Sequence, residues 1–301
     1  NNVDTVNTHP HPFVHTFFEV LMHTTEVLPS PSLPPVASPG SPGWAVVTGA
    51  TDGIGRAFAH ALAAQGHALV LVARRGRLLQ DLAAELQRAH GTACLVFECD
   101  LSRPGSVASL DAATRDLDVG LLVAAAGFGT SGLLLDADLD TELQMLDVNC
   151  RAVLALCWLF GRRMRERGDG GIVLMSSLLA FHGVPGAAHY AATKAWVQTL
   201  AEGLRMELAP HGVRVIASAP GPIATGFAAR ARLHMPDAMP PQVVAHQTLA
   251  QLGRRTTVRP GWLSKLLGWS LALLPRWGQV RVIAQVMKGM TKHHQAVTDR
   301  P

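Results

Sequence analysis

Cysteine is scarce in this sequence and is not arranged to cross-link it. The 301 residues include four cysteines, Cys94, Cys99, Cys150 and Cys157, and no two of them form a CxxC pair. Because all four lie in apolar stretches, they are expected to be buried thiols rather than a disulfide framework or a metal site. The setting that this predicts is reducing and cytoplasmic, and no bound metal is expected.

Two further features are missing, a basic N-terminal flank and a long hydrophobic run. Residues 1–43 contain no lysine or arginine, so the apolar run at 13–22 lacks the positive flank of a secretory signal peptide. The apolar run at 262–274 is too short to cross a bilayer and is interrupted by Lys265. The sequence therefore predicts no transmembrane helix, and its 48% hydrophobic and 16% charged residues are typical of a globular protein.

Positive charge is concentrated near the C-terminus. Residues 251–301 carry nine lysines or arginines against one acid, Asp299, whereas the whole chain has a net charge of +4. These cations are interleaved with Trp and Leu side chains, a mixture that suits a membrane surface better than a nucleic acid. Residues 262–301 are predicted to form a basic amphipathic helical extension. Three roles stay open for it: packing on the domain, a homo-oligomer interface, or peripheral contact with a membrane.

The rest of the chain divides near residue 44. Six prolines between Pro29 and Pro42 exclude a helix or a central strand, so residues 1–43 are interpreted as a disordered leader and linker. Residues 44–261 alternate strand-like apolar runs with segments of helical periodicity. Strands are predicted at 45–48, 68–73, 93–98, 120–124, 171–175 and 213–218, and helices include 54–64 and 78–89. The predicted class is α/β, a single Rossmann-type, doubly wound parallel sheet with helices on both faces.

A glycine-rich turn follows the first predicted strand. The sequence from Thr48 to Gly55 is Thr-Gly-Ala-Thr-Asp-Gly-Ile-Gly, and a helical pattern comes directly after it. Glycines permit a tight bend and let backbone N–H groups approach a pyrophosphate at the helix N-terminus. This context predicts a dinucleotide-binding turn.

The end of the second strand indicates which dinucleotide is bound. Its sequence is Ala73-Arg74-Arg75, without the acid that would hold the ribose hydroxyls of NAD. A guanidinium at this place, for which we select Arg74, can pair with a 2′-phosphate. The predicted cofactor is therefore NADP(H).

A tyrosine, a lysine and a serine form the candidate catalytic group. Tyr190, the only tyrosine in the chain, precedes Lys194 by four residues at the start of a helical pattern. Four residues make about one helical turn, so the ammonium lies near the phenol and favours its ionised form. Ser177 follows the fifth strand, where open α/β sheets place ligands, and its hydroxyl is expected to hold a substrate oxygen. These residues predict a site for acid–base chemistry.

The motifs resemble those of the short-chain dehydrogenase/reductase family over residues 44–261. Within the family, the C-terminal part is similar to a bacterial, broad-specificity subgroup related to ketoacyl and 17β-hydroxysteroid reductases, on the segments 257–262, 265–267 and 274–276. In chain order, the matching segments are Thr48–Gly55, Asp100-Leu101, Ala126-Gly127, Asn149, Ser177, Tyr190-x-x-x-Lys194 and Pro220–Thr225.

This resemblance implies a role for each matching residue. Tyr190 would exchange a proton, Ser177 would orient the carbonyl, and Lys194 would also hold the nicotinamide ribose. Asn149 would support a proton-relay water. The stretch after Thr225, to about Met239, would form a lid whose apolar residues imply a hydrophobic substrate. The cofactor-binding residues would be Gly49, Thr51, Asp52, Gly53, Ile54, Gly55, Arg74, Asp100, Leu101, Gly127, Tyr190, Lys194, Pro220, Gly221, Ile223 and Thr225.

The sequence departs from the family pattern after the fourth strand. The usual Asn-Asn-Ala-Gly appears here as Ala124-Ala125-Ala126-Gly127, which removes two amide side chains. Because the first amide normally ties neighbouring strands together, local stability is expected to change more than catalysis.

The predicted function is transfer of a hydride between NADP(H) and the carbonyl or alcohol of an acyl or steroid-like small molecule. No nucleic-acid partner is expected. The alternatives are a catalytically silent NADP(H)-sensing protein and a transient use of the redox centre, as in epimerisation. A full set of Asn149, Ser177, Tyr190 and Lys194 favours the enzyme, because a sensor would not require all four.

Overall fold

The computed structural model describes residues 42–231, 238–261, 264 and 274–298. Three predicted features lie wholly or partly outside these residues: the leader at 1–43, the middle of the substrate lid at 232–237, and most of the segment 262–273. The predicted domain boundaries therefore stay predictions.

In the described ranges, seven parallel strands form one sheet in the order β3-β2-β1-β4-β5-β6-β7. Six of them agree with the predicted strands to within one residue, and the predicted fold class is confirmed. The two-residue strand β7 was not predicted, because it is too short to show a periodic pattern. The strands are β1 (Trp44–Thr48), β2 (Ala68–Ala73), β3 (Cys94–Glu98), β4 (Val119–Ala124), β5 (Gly170–Met175), β6 (Val213–Ser218) and β7 (Thr257–Val258).

Helices connect the strands and cover both faces of the sheet. The helix after β1 begins where the Asp52 carboxylate caps it, and the helix after β2 ends at Gly91, whose φ is +67°. The α-helices are α1 (Gly53–Ala64), α2 (Gly76–His90), α3 (Ser106–Ala113), α4 (Leu139–Leu146), α5 (Ala152–Arg167), α6 (Ala188–Leu208), α7 (Gly226–Arg230), α8 (Pro241–Leu249) and α9 (Arg276–Thr298).

Each face of the sheet buries its own apolar cluster, because successive side chains of a strand point to opposite faces. Val46 of β1 belongs to one cluster with Phe160 of α5. Its neighbour Val47 belongs to the other, with Phe58 of α1 and Leu82 of α2. Because both faces are buried, the strand sequences are continuous apolar runs. The packed sheet also fixes the positions of the loops at the carboxyl ends of the strands.

Thr48 joins β1 to the segment in which the two family asparagines are absent. Its Oγ1 accepts a hydrogen bond of 3.0 Å from the N–H of Ala126 and donates one of 3.4 Å to the carbonyl of Val123. The side chain is fully buried, so both contacts are shielded from water. A hydroxyl on β1 thus connects two neighbouring strands beside Ala124–Gly127.

All four cysteines are free thiols. Cys150 and Cys157 are buried, as predicted, whereas Cys94 and Cys99 are only half-buried. Burial raises the pKa of the Cys157 thiol to about 12 and that of Cys94 to about 11. These thiols are therefore protonated at neutral pH.

One helix in the described part of the chain, Leu139–Arg167, is long and apolar enough to cross a membrane by length and composition alone. It combines α4 and α5 with the π-helical turn Asp147–Arg151 between them. Its inner face, including Val153, Leu156 and Phe160, packs on the sheet as the face of a core helix does. The finding is therefore weak evidence for a membrane span.

The C-terminal helix α9 packs on the domain. Ile283 and Met287 are buried in one cluster with Phe128 and Val184. At the start of the helix, Trp277 is exposed. The guanidinium of Arg281 lies over its indole, 5.2 Å from the ring centroid. The oligomer and membrane roles stay predictions.

Candidate active site

A cleft opens at the carboxyl ends of the strands, where the order of the sheet reverses between β1 and β4. Open α/β sheets bind their ligands at this position. The cleft has a volume of about 600 Å³. Every predicted site residue except Asn149 lines it: Gly49, Thr51, Asp52, Gly53, Ile54, Gly55, Arg74, Asp100, Leu101, Gly127, Ser177, Tyr190, Lys194, Pro220, Gly221, Ile223 and Thr225.

The glycine-rich turn between β1 and α1 needs its glycines. Gly49 and Gly53 have φ values of +68° and +48°, in the left-handed region that side chains disfavour. A Cβ on Gly55 would lie 2.3 Å from the carbonyl oxygen of Gly49, so the turn packs too closely for a side chain there. Asp52 Oδ1 accepts a hydrogen bond of 2.7 Å from the N–H of Gly53. The start of α1 therefore lines the cleft with a backbone that fits a phosphate group.

Two arginines follow β2 at the side of the cleft next to the turn. Arg75 donates to Thr51 Oγ1 from Nη2 at 2.9 Å and from Nε at 3.3 Å. Arg74 and Arg75 both line the cleft. The sequence-based prediction selected Arg74, whereas Arg75 is the arginine that contacts the glycine-rich turn. Both are candidates to hold a phosphate on the cofactor ribose.

Asp100, after β3, is an anion beside these cations. Burial alone would raise the pKa of its carboxyl, but hydrogen bonds from Ser102 and the charges of Arg74 and Arg103 outweigh burial and lower the pKa. Asp100 Oδ1 accepts from the N–H of Ser102 at 3.0 Å and from its hydroxyl at 2.8 Å. The side chain is therefore ionised at neutral pH and holds its own loop in place.

Arg230 of α7 is a cation of the cleft that the sequence-based prediction missed. Its guanidinium lies 3.7 Å from the ring centroid of Phe128. Burial, followed by the charge of Arg74, lowers the pKa of Arg230, and the charge of Asp100 partly opposes this. Three arginines thus line one cleft, a donor set that fits the phosphates of a dinucleotide.

Tyr190 and Lys194 lie on the first turns of α6, as their spacing predicts. Both are buried, and Lys194 Nζ is 5.8 Å from the centroid of the Tyr190 ring. Nζ also donates a hydrogen bond of 2.8 Å to the carbonyl of Met175, the last residue of β5. The ring centroid of Phe227, in α7, lies 5.3 Å from that of Tyr190.

Burial changes the acidity of both groups. It raises the pKa of the Tyr190 phenol to about 12, although a hydrogen bond with Ser177 lowers it in part. It lowers the pKa of the Lys194 ammonium to about 8. At neutral pH the phenol is protonated and the ammonium is charged. The Tyr190 phenol is therefore in the protonated form, which is the form that can donate a proton.

Asn149 lies behind these residues, in the π-helical turn that interrupts the long helix between α4 and α5. Its Nδ2 donates to the carbonyl of Phe128 at 2.9 Å and to Thr193 Oγ1 at 3.0 Å. Its Oδ1 accepts from the N–H of Phe128 at 3.2 Å. The side chain thus fixes the loop after β4 against α6. Its predicted support of a relay water stays a prediction.

Ser177 lies directly after β5 and lines the cleft. Its Oγ accepts a hydrogen bond of 3.1 Å from the N–H of Leu179, in the short 3-10 turn Leu178–Phe181. The N–H of Leu178, the residue directly after Ser177, donates a hydrogen bond of 2.9 Å to the carbonyl of Pro220. Ser176 instead donates to the carbonyl of Lys194 at 3.2 Å and is buried.

The segment Pro220–Thr225 forms the opposite edge of the cleft. The N–H of Gly221 donates to Ser264 Oγ at 3.0 Å. A Cβ on Gly53 would lie 2.6 Å from Thr225 Cγ2, so this segment packs directly on the glycine-rich turn. The cleft is therefore narrow where the two loops meet.

Two histidines near the site have structural partners. His182 Nδ1 is 2.9 Å from Gln279 Oε1, and His189 Nδ1 is 2.6 Å from the buried carboxylate of Glu142. Each histidine therefore has a side-chain partner outside the group of Ser177, Tyr190 and Lys194. Among the described residues, no group of three or more His, Cys, Asp or Glu could hold a metal.

Comparison with known proteins adds to this geometry. The family model described as short chain dehydrogenase matches residues 43–236. The chain is 32% identical to a 7beta-hydroxysteroid dehydrogenase of Clostridium sardiniense, over 74% of this chain and 87% of that protein. It is also 32% identical to a very-long-chain 3-oxoacyl-CoA reductase of Phaeosphaeria nodorum, over 82% of this chain and 75% of that protein.

Solved structures show the same likeness. A structure of a 7beta-hydroxysteroid dehydrogenase superposes with a TM-score of 0.75 at 26% identity, covering 80% of this chain and 96% of that one. A short-chain dehydrogenase from Sphingobium yanoikuyae in complex with NADPH superposes with a TM-score of 0.70 at 29% identity, covering 77% and 96%. Since the family model covers well over half of the residues, the chain belongs to the short chain dehydrogenase family.

Proposed function

We propose that the protein is an NADP(H)-dependent reductase of hydrophobic ketones. Membership of the family makes it an oxidoreductase that acts on CH–OH or C=O groups with a nicotinamide cofactor. The proposal adds the 2′-phosphorylated form of the cofactor, an apolar substrate and the direction of the reaction. The observation that carries it is a protonated, buried Tyr190 in the same cleft as three arginines.

The arginines support NADP(H) rather than NAD(H). Arg74 and Arg75 follow β2, where an acid would be expected if a free ribose were bound. Arg75 is already oriented by Thr51, so less side-chain freedom is lost when it pairs with a phosphate. A structural relative, the dehydrogenase from Sphingobium yanoikuyae, was solved in complex with NADPH.

The proton-transfer groups support reduction of a carbonyl. When bound, the nicotinamide cofactor supplies the hydride that forms the new C–H bond. Ser177 holds the carbonyl oxygen, and the Tyr190 phenol donates its proton to that oxygen as the alkoxide charge develops. The ammonium of Lys194, 5.8 Å from the ring centroid, then stabilises the phenolate that is left.

The lining of the cleft next to Tyr190 supports an apolar substrate. Phe128, Val148, Leu179 and Phe227 surround this part, together with side chains of α9. A steroid or a long acyl chain would suit such a lining, in keeping with the names of the relatives. We include a reducing, cytoplasmic setting in the proposal because all four cysteines are free.

The test measures NADPH oxidation with a panel of ketones, 3-oxoacyl thioesters and steroid ketones. Wild type is expected to turn over at least one of them, and Tyr190→Phe to lower kcat by about a hundredfold or more while NADPH still binds. Tight NADPH binding without turnover of any compound would overturn the proposal in favour of the sensor, which the relatives' names do not favour.

Cofactor choice needs its own comparison. Arg75→Ala and Arg74→Ala are expected to lower kcat/KM for NADPH by about tenfold or more and to leave NADH nearly unaffected. Arg77→Ala, at an exposed arginine of α2 outside the cleft, is the matched control. Equal kcat/KM of wild type with NADPH and NADH would contradict the assignment.

A further inference from the structure

The C-terminal helix α9 lines the same cleft as the catalytic residues. Positions 282 and 286 are four residues apart, as are 283 and 287, so they form two adjacent ridges on one side of the helix. Gln285, between them in sequence, is exposed and does not line the cleft. The side chains that line it are all apolar: Val282, Ile283, Val286 and Met287.

The inner ridge contacts the surroundings of the catalytic tyrosine. Ile283 and Met287 are 5% and 4% exposed and share one buried cluster with Tyr190 and Phe128. Substituting either residue would therefore disturb the packing of the active site. This ridge holds the helix in place.

The outer ridge is different, because it borders the cleft without being covered. Val282 is 42% exposed and Val286 is 49% exposed, yet both line the cavity. Half-exposed valines at the mouth of an apolar pocket gain free energy if a ligand covers them. Since Tyr190 lines the same cleft, a substrate held there can cover this ridge with an apolar body that extends beyond the reacting carbon.

The start of α9 is attached to the loop that carries Ser177. The His182 and Gln279 side chains are joined by a hydrogen bond of 2.9 Å. A Cβ on Gly183 would lie 3.4 Å from Val280 Cγ2, so the helix lies directly against this loop. The outer ridge therefore has a defined position relative to the site of proton transfer.

We propose that α9 forms the outer wall of the substrate site and that Val282 and Val286 determine how long an apolar substrate can be. The inference rests on the proposed function, since it assigns these side chains to the body of the ketone. The substrate class is a ketone with an extended apolar body, which lies along α9 while its carbonyl is held at Ser177 and Tyr190.

The test compares two substrates that differ only in length, a 3-oxobutanoyl and a 3-oxododecanoyl thioester. In Val286→Trp, the indole narrows the mouth of the cleft. We expect it to lower kcat/KM for the long thioester by about tenfold and to leave the short one within about twofold. Gln285→Trp adds the same indole one residue away, outside the cleft, and is expected to change neither value. Val282→Trp provides a second, independent variant if Val286→Trp fails to fold.

The outcomes separate this inference from the proposed function. If Val286→Trp affects both thioesters equally, or neither, the role of α9 is overturned while the reductase stands. If wild type binds NADPH but reduces neither thioester nor any other ketone, the proposed function fails. In that case, calorimetry measures the binding of the long thioester to the NADP+ complex of each protein, which tests the role of α9 without requiring turnover. Binding weakened by Val286→Trp but not by Gln285→Trp supports the wall, and equal binding by all three proteins refutes it.

Discussion

Replacing Lys194 with methionine is expected to change how the stability of the cofactor-free protein depends on pH. Lys194 is 6% exposed, and its Nζ donates to the carbonyl of Met175 at 2.8 Å. Burial lowers the pKa of the ammonium from its ordinary value of 10.5 to about 8. Between these values the unfolded chain binds a proton that the folded protein does not. Wild-type stability therefore gains a contribution as the pH rises through this window.

The magnitude follows from the two pKa values. A difference of one pKa unit corresponds to about 1.4 kcal/mol, so wild type gains about 2 kcal/mol from this group between about pH 7 and about pH 9.5. Lys194→Met lacks the group and lacks the gain. The free energy of unfolding of the variant, minus that of wild type, is therefore expected to fall by about 2 kcal/mol over this interval. Cys150, whose thiol pKa burial raises to about 11, stays protonated in the folded protein and does not obscure the change.

Urea denaturation of both proteins at the two pH values measures this difference. Loss of the hydrogen bond to Met175 and changes in packing shift the variant equally at both values, so they cancel in the comparison. Arg115→Met, at an exposed arginine just after α3, is the control, and its stability relative to wild type is expected to change by less than about 0.5 kcal/mol between the two pH values. A constant difference between Lys194→Met and wild type would refute the reasoning, because the ammonium would then not be desolvated in the folded state.

Two further predictions concern the glycine-rich turn and the buried contact between His189 and Glu142. Gly53→Ala is expected to weaken NADPH binding by about tenfold or more, because its Cβ would lie 2.6 Å from Thr225 Cγ2 on a backbone with a φ of +48°. Gly91→Ala, also at positive φ but with no atom within 4 Å, is expected to cost about 1 kcal/mol of stability with unchanged affinity. Fluorescence titration with NADPH measures the affinity of both variants. Equal affinities of Gly53→Ala and Gly91→Ala for NADPH would contradict the steric argument. His189→Ala is expected to destabilise the protein by about 2 kcal/mol in urea denaturation, since it leaves the buried Glu142 carboxylate without this partner. Adding Glu142→Gln to it should restore part of the loss, and no restoration would argue against a charge effect.

Much of the fold was predictable because its signals are local. Strands of a parallel sheet are covered on both faces, so β2 and β6 read as continuous apolar runs with clear ends. Tyr190 and Lys194 share one helix, so their spacing alone brings them to one side of it. The glycine-rich turn lies between a strand and a helix that are adjacent in sequence, and Gly49 and Gly53 have the positive φ that only glycine adopts readily.

Other features of the site depend on contacts between segments that are distant in sequence. Nothing in Ala73-Arg74-Arg75 reveals that Arg75, rather than Arg74, contacts Thr51, because this depends on how two loops meet in space. Arg230 reaches Phe128 only through the position of α7, and Val286 lines the cleft only because α9 packs beside it. The sequence by itself therefore determined the sheet, the turn and the positions of the candidate catalytic residues Tyr190 and Lys194, each of which follows from backbone periodicity or short spacing. The tertiary structure alone decided which cations and which apolar wall surround them, since side-chain contacts across the fold leave no local pattern.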